Sequence, residues 1–392
     1  MARPQVLSDR ATALKPSLTL AISARAKALQ QEGRNICSLS AGEPDFETPE
    51  FIVDAAIKAL RDGITRYGPA AGDPELREAI AAKLRQDNGL TIGSEQVLVT
   101  NGGKQGIFNL FQVILNPGDE VLIPSPYWLS YPEMARLAGA EVKTLVSSPS
   151  KGFRLDLEAL ETSIGPKTRL LILNSPGNPT GRVMSRKELE ALAEILRRHP
   201  QVLVLSDEIY ELLLAVGQEH HSIAKVAPDL AERIFIVNGF AKGWAMTGWR
   251  LGYLAGSSEV INAAAALQSQ STSNVCSFAQ KGALAALQGS RQCVQDMANS
   301  YNERRQLLTD GLQSIDSINL VAPQGAFYAF PELLDNNLDS VSFCQRALED
   351  FGLAMIPGLA FGDDNCIRIS CAVSSETISD GLQRLTKVLQ SL

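Results

Sequence analysis

Short, predominantly apolar runs recur along the first two thirds of this chain, and helical segments separate several of them. The runs cover residues 97–100, 120–123, 169–173, 202–206 and 234–237. Strands that are buried on both faces and connected by helices form mostly parallel sheets. This succession therefore predicts an α/β fold in which helices flank a mostly parallel sheet.

Helical patterns and helix-start signals complete the predicted architecture. The helical stretches are 18–31, 104–115, 186–198, 257–290 and 291–316. Thr48 followed by Pro49 predicts a helix start with Thr48 as the N-cap. Beyond Asn319, short strands at 327–330 and 366–370 alternate with helices, which indicates a smaller α+β domain. The predicted division is an arm with part of the small domain at 1–47, a large domain at 48–300 and a small domain at 301–392.

Composition excludes several classes of function. The formal net charge is −7 and basic residues form no cluster, which argues against nucleic-acid binding. No apolar stretch approaches the roughly 20 residues that span a bilayer. The six cysteines lack metal-ligand spacing and are interpreted as reduced thiols of a cytoplasmic protein. His220 and His221 beside Glu219 are interpreted as a solvated loop, so no metal is expected.

In open parallel sheets, ligands bind beyond the carboxyl ends of the strands, so the residues that follow each strand are informative. After the first strand, Gly102 and Gly103 open a helix whose backbone N–H groups can bind an anion. A plain tight turn is at least as good an interpretation of these glycines. Asn178 lies in a turn-rich segment after a later strand. It either serves the turn or places its amide at a ligand oxygen.

Four further residues that could take part in chemistry follow the later strands. Asp207 is either a helix cap or an acid that pairs with a heteroaromatic nitrogen, with Tyr210 three residues on. Lys242 stands among glycine and aromatic residues. It is either a surface charge or a desolvated amine that can bond to a carbonyl. With Arg250 as a phosphate ligand, these residues make up the set that a pyridoxal phosphate site needs.

The order and spacing of many motifs give the chain a wider resemblance. It resembles the class I, fold-type I aminotransferases that depend on pyridoxal phosphate, and among them the bacterial aspartate and prephenate aminotransferases. The motifs that carry the resemblance are LKPS (14–17), AGEPDF (41–46), TRYG (65–68), NGGKQ (101–105), YWLSYPE (127–133), NSPGNPTG (174–181), SDEIY (206–210), KGWAMTGWR (242–250) and GAFY (325–328).

The resemblance implies a role for each residue around the cofactor ring. Lys242 is implied as the Schiff-base lysine and the proton shuttle. Asp207 is implied to pair with the pyridine nitrogen, and Asn178 and Tyr210 to contact the ring hydroxyl. Trp128 is implied to stack on the ring and to touch the substrate.

The phosphate is implied to meet Gly103, Lys104 and Arg250 and, across a homodimer interface, Tyr67. Two departures reduce its side-chain contacts. Ala241 replaces the hydroxyl residue that precedes the lysine in many relatives, and Gly239 stands where animal-type enzymes carry a serine.

The resemblance also implies the substrate ligands. Arg368 binds the substrate α-carboxylate and Gly42 closes over it, while Lys104 assists with the distal carboxylate. Lys15 and Thr19 match positions that prephenate-using members employ. Without the resemblance, Arg368 lies in an alternating pattern that is typical of a half-exposed strand.

The expected function is ping-pong transamination between L-aspartate or glutamate and 2-oxoglutarate or oxaloacetate. A glutamate/aspartate-prephenate aminotransferase, alone or as a second activity, is the alternative, and a pyridoxal phosphate-dependent β-lyase is a more distant one. A non-catalytic sensor and a dehydrogenase are alternatives from other functional classes. The absent dinucleotide fingerprint disfavours the dehydrogenase.

Overall fold

A seven-stranded sheet forms the centre of the computed structural model, which describes residues 6–14, 18–334 and 337–392. In chain order, the strands of the described residues are β1 (Cys37–Ser38), β2 (Val97–Thr100), β3 (Glu120–Ser125), β4 (Glu141–Val146), β5 (Thr168–Asn174), β6 (Leu203–Asp207), β7 (Ile234–Gly239), β8 (Gly252–Ala255), β9 (Ile318–Asn319), β10 (Tyr328–Ala329), β11 (Glu332–Leu333), β12 (Leu353–Ala354), β13 (Ile356–Pro357) and β14 (Ile367–Ser370).

The strand order of the central sheet is β2-β8-β7-β6-β5-β3-β4. Strand β8 is antiparallel to both of its neighbours, and the pairs from β7 to β4 are all parallel. The predicted mostly parallel sheet is therefore confirmed. The strands predicted from apolar runs did not include β4. This edge strand exposes Glu141 and Lys143, so it lacks a continuous apolar sequence.

Both faces of the sheet are buried, which explains the apolar runs. Within β5, Leu170 and Ile172 pack into one hydrophobic cluster, whereas Leu171 and Leu173 pack into another on the opposite face. Successive side chains of a strand point to opposite faces, so a strand covered on both sides needs apolar residues throughout.

Helices cover these faces and build the rest of the chain. The helices of the described residues are α1 (Asp9–Ala13), α2 (Leu18–Gln31), α3 (Glu50–Arg61), α4 (Pro74–Gln86), α5 (Gly103–Ile114), α6 (Ser130–Leu137), α7 (Leu157–Ser163), α8 (Arg186–Arg198), α9 (Ile223–Val226), α10 (Ser258–Ser271), α11 (Ser277–Gln288), α12 (Gln292–Gln313), α13 (Ser340–Phe351) and α14 (Ser375–Gln390). None of these helices is long and apolar enough to cross a membrane.

Two helix predictions need correction. The stretch 257–290 is not one helix, because α10 ends at Ser271 and the left-handed φ of 63° at Ser273 separates it from α11. Thr48 is not the N-cap of α3, because Pro49 occupies that position. The Thr48 hydroxyl instead donates to the Ala245 carbonyl at 2.8 Å and accepts from Trp249 Nε1 at 3.0 Å. These bonds tie the start of α3 to the segment that carries Lys242.

The N-terminal and C-terminal parts of the chain form a smaller α+β region. Strand β1 pairs in parallel with β12, and β10, β14 and β13 form a three-stranded antiparallel sheet. Helix α14 packs against α12 and α13. The expected smaller α+β region is therefore present, and the predicted boundary at residue 300 lies inside the continuous helix α12.

Candidate active site

A cavity of about 500 Å³ opens at the carboxyl ends of the parallel strands, between the central sheet and the smaller region. Eleven of the predicted site residues line it: Thr19, Gly42, Gly103, Lys104, Trp128, Asn178, Asp207, Tyr210, Lys242, Arg250 and Arg368. Residues from segments more than 300 positions apart thus share one pocket.

Lys242 follows β7 and reaches the middle of this cavity. Its Nζ donates to the Gly42 carbonyl at 2.5 Å and lies 5.7 Å from the ring centres of Tyr210 and Phe327. The Lys242 side chain lines the cavity and is half-buried. Desolvation, reinforced by the positive charge of Arg368, lowers the pKa of Lys242 to about 8. With this pKa, about one tenth of the amine is unprotonated at pH 7, far more than for a lysine with its ordinary pKa.

Asp207 is the last residue of β6 and is buried at the floor of the cavity. Its Oδ2 accepts from the Tyr131 hydroxyl at 2.7 Å, and its Oδ1 accepts from the Ile209 N–H at 3.3 Å. Burial raises the pKa of Asp207 to about 6, although both hydrogen bonds oppose this shift. A buried acid of this kind is suited to pair with a cationic partner that enters the cavity.

Arg368 on β14 is 4% exposed, whereas the alternating sequence pattern by itself is typical of a half-exposed strand. One guanidinium nitrogen donates to Asn178 Oδ1 and another to the Ser40 carbonyl, both at 3.1 Å. The guanidinium lies 4.4 Å from the ring centre of Tyr328. Its Nε is buried and has no hydrogen-bond partner among the described residues. A buried unpaired donor of this kind calls for an incoming acceptor such as a carboxylate.

The glycine turn after β2 and Arg250 form a second region of the cavity that can accept an anion. Gly102, with φ 77°, precedes α5, whose first N–H groups have no partner within the helix. A Cβ at Gly102 would lie 2.6 Å from a guanidinium nitrogen of Arg250, so the guanidinium would have to shift, and the positive φ favours glycine in its own right. Arg250 itself has φ 54°, and its side chain donates to the Thr247 carbonyl at 3.0 Å. Helix N–H groups beside an arginine suit a phosphate.

The packing of the backbone explains why position 239 is a glycine. A Cβ at this position would come within 2.8 Å of the Gly252 Cα and the Leu251 carbonyl, where β7 and β8 pack together. A hydroxyl side chain at this position would therefore require movement of the backbone.

Lys104 lies beside Trp128, with its Nζ 4.9 Å from the indole centre. Burial and the nearby Arg250 charge lower the pKa of Lys104. Trp128 is half-buried and meets Tyr131 edge-on at 5.2 Å, which fixes the orientation of the indole.

Among the described residues, one predicted site residue does not line the cavity. Tyr67 is 92% exposed and lies outside it. Lys15 lies outside the described residues.

Several residues of the site were missed by the sequence reasoning. Tyr131 and Tyr328 provide buried hydroxyl groups, and Tyr328 hydrogen-bonds Tyr210 at 3.0 Å. Glu43 also lines the cavity and accepts from Thr247 at 2.9 Å. None of these contacts follows from local sequence, because each joins segments that are distant along the chain.

A buried polar network lies behind the Asp207 segment, and the interpretation of His220 as part of a solvated loop is wrong. His220 Nε2 lies 3.1 Å from the Glu208 carboxylate. The same carboxylate accepts a hydrogen bond from the Ser222 hydroxyl at 2.7 Å. Burial alone would lower the pKa of His220, but Glu208 outweighs this effect and raises it.

The same network includes an ion pair between Lys83 and Glu211, both almost fully buried. The Glu211 carboxylate accepts hydrogen bonds from the Asn88 amide at 2.8 Å and from the Asn238 amide at 2.6 Å. The potential ligand atoms of Glu208, Glu211 and His220 lie within 4.8 Å of one another. Because the two carboxylates already accept from these lysine, asparagine, serine and histidine donors, the cluster is an ion-pair network with its own internal cation.

Comparison with known proteins agrees with this architecture. A family model described as aminotransferase class I and II matches residues 34–385. The chain is 47% identical over 401 residues to the bifunctional aspartate aminotransferase and glutamate/aspartate-prephenate aminotransferase of Petunia hybrida, covering 98% of this chain and 83% of that protein. It is also 47% identical over 386 residues to the aspartate/prephenate aminotransferase of Thermus thermophilus, covering 98% of each.

A solved structure extends the likeness to the whole fold. The aspartate aminotransferase from Thermus thermophilus with maleate is 45% identical and has a TM-score of 0.94, covering 98% of this chain and 100% of that chain. The fold-type I architecture is therefore confirmed, and the chain belongs to the class I and II aminotransferases.

Proposed function

We propose that this chain uses pyridoxal phosphate to transfer the amino group between L-aspartate or glutamate and 2-oxoglutarate or oxaloacetate, in a ping-pong reaction. The observation that carries the proposal is the Lys242 amine, with its lowered pKa, in one cavity with Asp207 and the incompletely paired Arg368. The names of the relatives support the same substrates.

The residues of the cavity fit the cofactor at each of its functional groups. The cradle at Gly102, with the first N–H groups of α5 and Arg250, would hold the phosphate. Asp207 would pair with the pyridine nitrogen. Asn178 and Tyr210 would hold the ring hydroxyl, and Trp128 would cover the ring face.

Lys242 provides both the anchor and the base in this proposal. When bound, the cofactor supplies an electron sink that stabilises negative charge at the substrate Cα. The Lys242 amine would hold the cofactor aldehyde and, once released by the amino acid, would take the proton from Cα. Proton transfer by a positioned amine contributes about 10²–10⁴-fold to the rate. The lowered pKa favours this use, because only the free amine can accept the proton.

Arg368 and Lys104 would recognise the two ends of a dicarboxylic substrate. The planar fork of Arg368 suits the α-carboxylate, with Gly42 lying over it. Lys104 would attract the distal carboxylate from its place beside Trp128. Thr19 lines the same cavity. Thr19 and Lys15 would contribute to a prephenate pocket, for which the support is the sequence resemblance.

The proposal includes a cytoplasmic homodimer. The six cysteines are free thiols, as is usual in a reducing compartment. The exposed ring of Tyr67 would reach the phosphate held by the other subunit. Residues 48–300 would form the large cofactor-binding domain, and 1–47 with 301–392 would supply the arm and the small domain.

A panel of amino acceptors tests the substrate assignment. With glutamate as the donor, we expect strong turnover of oxaloacetate, measured as the aspartate formed. Prephenate turnover comparable to that of oxaloacetate would favour the bifunctional alternative. If only aromatic or aliphatic oxo acids react, the aspartate assignment is wrong. Release of pyruvate and ammonia from a β-substituted amino acid would favour the β-lyase.

The lowered pKa of Lys242 predicts how the ligand-free protein captures pyridoxal phosphate at different pH values. The amine reacts only when deprotonated, so the capture rate should rise about tenfold per pH unit below pH 8 and level off above it. Stopped-flow absorbance measures the rate, and borohydride trapping identifies the modified lysine. The control is Nα-acetyl-lysine, whose rate should keep rising towards pH 10. A protein profile that also rises to pH 10 would show that Lys242 is not desolvated.

A further inference from the structure

Tyr131 is a buried phenol that faces the carboxylate at the floor of the active site. It lies in the first turn of α6, three residues after Trp128, and is 1% exposed. Its hydroxyl donates to Asp207 Oδ2 at 2.7 Å, and this bond joins α6 to the end of β6. The edge-on contact with Trp128 at 5.2 Å holds the phenol ring in place.

The charged and titratable groups around Asp207 show which contact favours its ionised form. Glu208 adds a negative charge nearby and Tyr210 a neutral phenol, while Lys242 is the cation that favours the ionised form of Asp207. Burial works against the ionised form of Asp207. The Ile209 N–H at 3.3 Å is the longer of the two hydrogen bonds to the carboxylate. The shorter bond, from Tyr131, therefore opposes the effect of burial most directly.

A phenol suits this position because its hydroxyl donates a hydrogen bond to the ionised acid. Burial and the negative charge of Asp207 raise the pKa of Tyr131 well above its ordinary value, so it remains a neutral donor. A hydrogen bond from a neutral donor stabilises the carboxylate without cancelling its charge. That charge stays available for a cation in the cavity.

We propose that Tyr131 is a positioning residue that keeps the Asp207 carboxylate ionised and oriented, so that it can bind the protonated ring nitrogen of pyridoxal phosphate. This inference rests on the proposed function. Tyr131 acts through Asp207, so its removal weakens recognition of the ring nitrogen and leaves the phosphate cradle intact.

The test compares Tyr131→Phe with the unmodified chain as ligand-free proteins. Quenching of tryptophan fluorescence measures the Kd for pyridoxal phosphate across a pH series. We expect Tyr131→Phe to bind about tenfold more weakly near neutral pH, the size expected for one hydrogen bond to a charged group. Affinity that depends on ionised Asp207 is lost as pH falls through the pKa of that acid. Because the pKa is higher without the phenol, the loss should begin at a higher pH in the variant.

Tyr127→Phe is the matched control. Tyr127 lies four residues earlier, is half-buried, and its hydroxyl makes no hydrogen bond within the described residues. Its Kd and pH profile should equal those of the unmodified chain. The melting temperature of each ligand-free protein shows whether either substitution disturbs the fold.

A second probe separates this role from general support of the pocket. The analogue of pyridoxal phosphate with a CH group in place of the ring nitrogen cannot use Asp207 as an ion partner. We expect the unmodified chain and Tyr131→Phe to bind this analogue equally. Equal weakening for both probes would overturn the inference, as would an unchanged Kd for pyridoxal phosphate. If the unmodified chain binds no pyridoxal phosphate, the proposed function itself fails.

Discussion

Replacement of Lys242 with alanine is expected to remove nearly all aminotransferase turnover and the visible absorbance of the purified protein. Loss of the positioned base alone should lower kcat by about 10²–10⁴-fold. The covalent anchor is lost as well, so the absorbance of the lysine-bound cofactor should disappear. Steady-state assays with aspartate and 2-oxoglutarate measure the first effect, and an absorption spectrum measures the second.

Two further variants show which property of Lys242 matters. Lys242→Arg keeps the positive charge but cannot deprotonate at accessible pH, so it should be as inactive as the alanine variant. Lys187→Ala on the exposed face of α8 should retain full activity and absorbance. Substantial turnover by Lys242→Arg would contradict the assignment of this residue as the base. If Lys242→Ala keeps the visible band, the covalent anchor lies elsewhere.

Replacement of Lys83 with methionine is expected to lower the free energy of unfolding strongly. Lys83 is 4% exposed and pairs with Glu211, which is also buried. Removal of one partner leaves an uncompensated buried charge, which typically costs about 3–5 kcal/mol. The midpoint of urea unfolding at a fixed protein concentration should fall accordingly, with little change in the slope.

A double variant tests the physical reason for this loss. Lys83→Met combined with Glu211→Gln removes both charges, so it should recover most of the stability that Lys83→Met loses. The surface control is Lys58→Met, whose partner Asp62 is half-exposed and whose own side chain is 76% exposed; its unfolding midpoint should barely move. If the double variant is no more stable than Lys83→Met alone, burial of the unpaired Glu211 charge is not the cause.

Local sequence predicted the parts of the fold whose pattern follows directly from burial. Strands β5 and β7 read as apolar runs because both of their faces are covered, and helices 18–31 and 186–198 have the observed bounds. The edge strand β4 was missed because it has a solvated face. The helix start at Thr48 was predicted wrongly, because tertiary hydrogen bonds to Ala245 and Trp249 take up its hydroxyl.

Prediction of the site residues depended on the family motifs more than on the local alternation of apolar and polar residues. Asp207, Lys242 and Arg250 follow strands, so general rules for parallel sheets already place them at one edge. Arg368 lies on a strand of the smaller region, and local alternation gave it no special status. Only the resemblance to a family singled it out, and the structure shows that it is buried against Tyr328.

The sequence by itself determined the α/β class, the succession of strands and helices, and the residue types that collect at the strand ends, because burial and backbone geometry act on neighbouring residues. The tertiary structure decided which distant side chains meet. Tyr131 reaches Asp207 over 76 positions, and Lys83 reaches Glu211 over 128. Such contacts depend on how whole elements pack, and the same packing sets the protonation of Asp207 and Lys242 through burial and neighbouring groups.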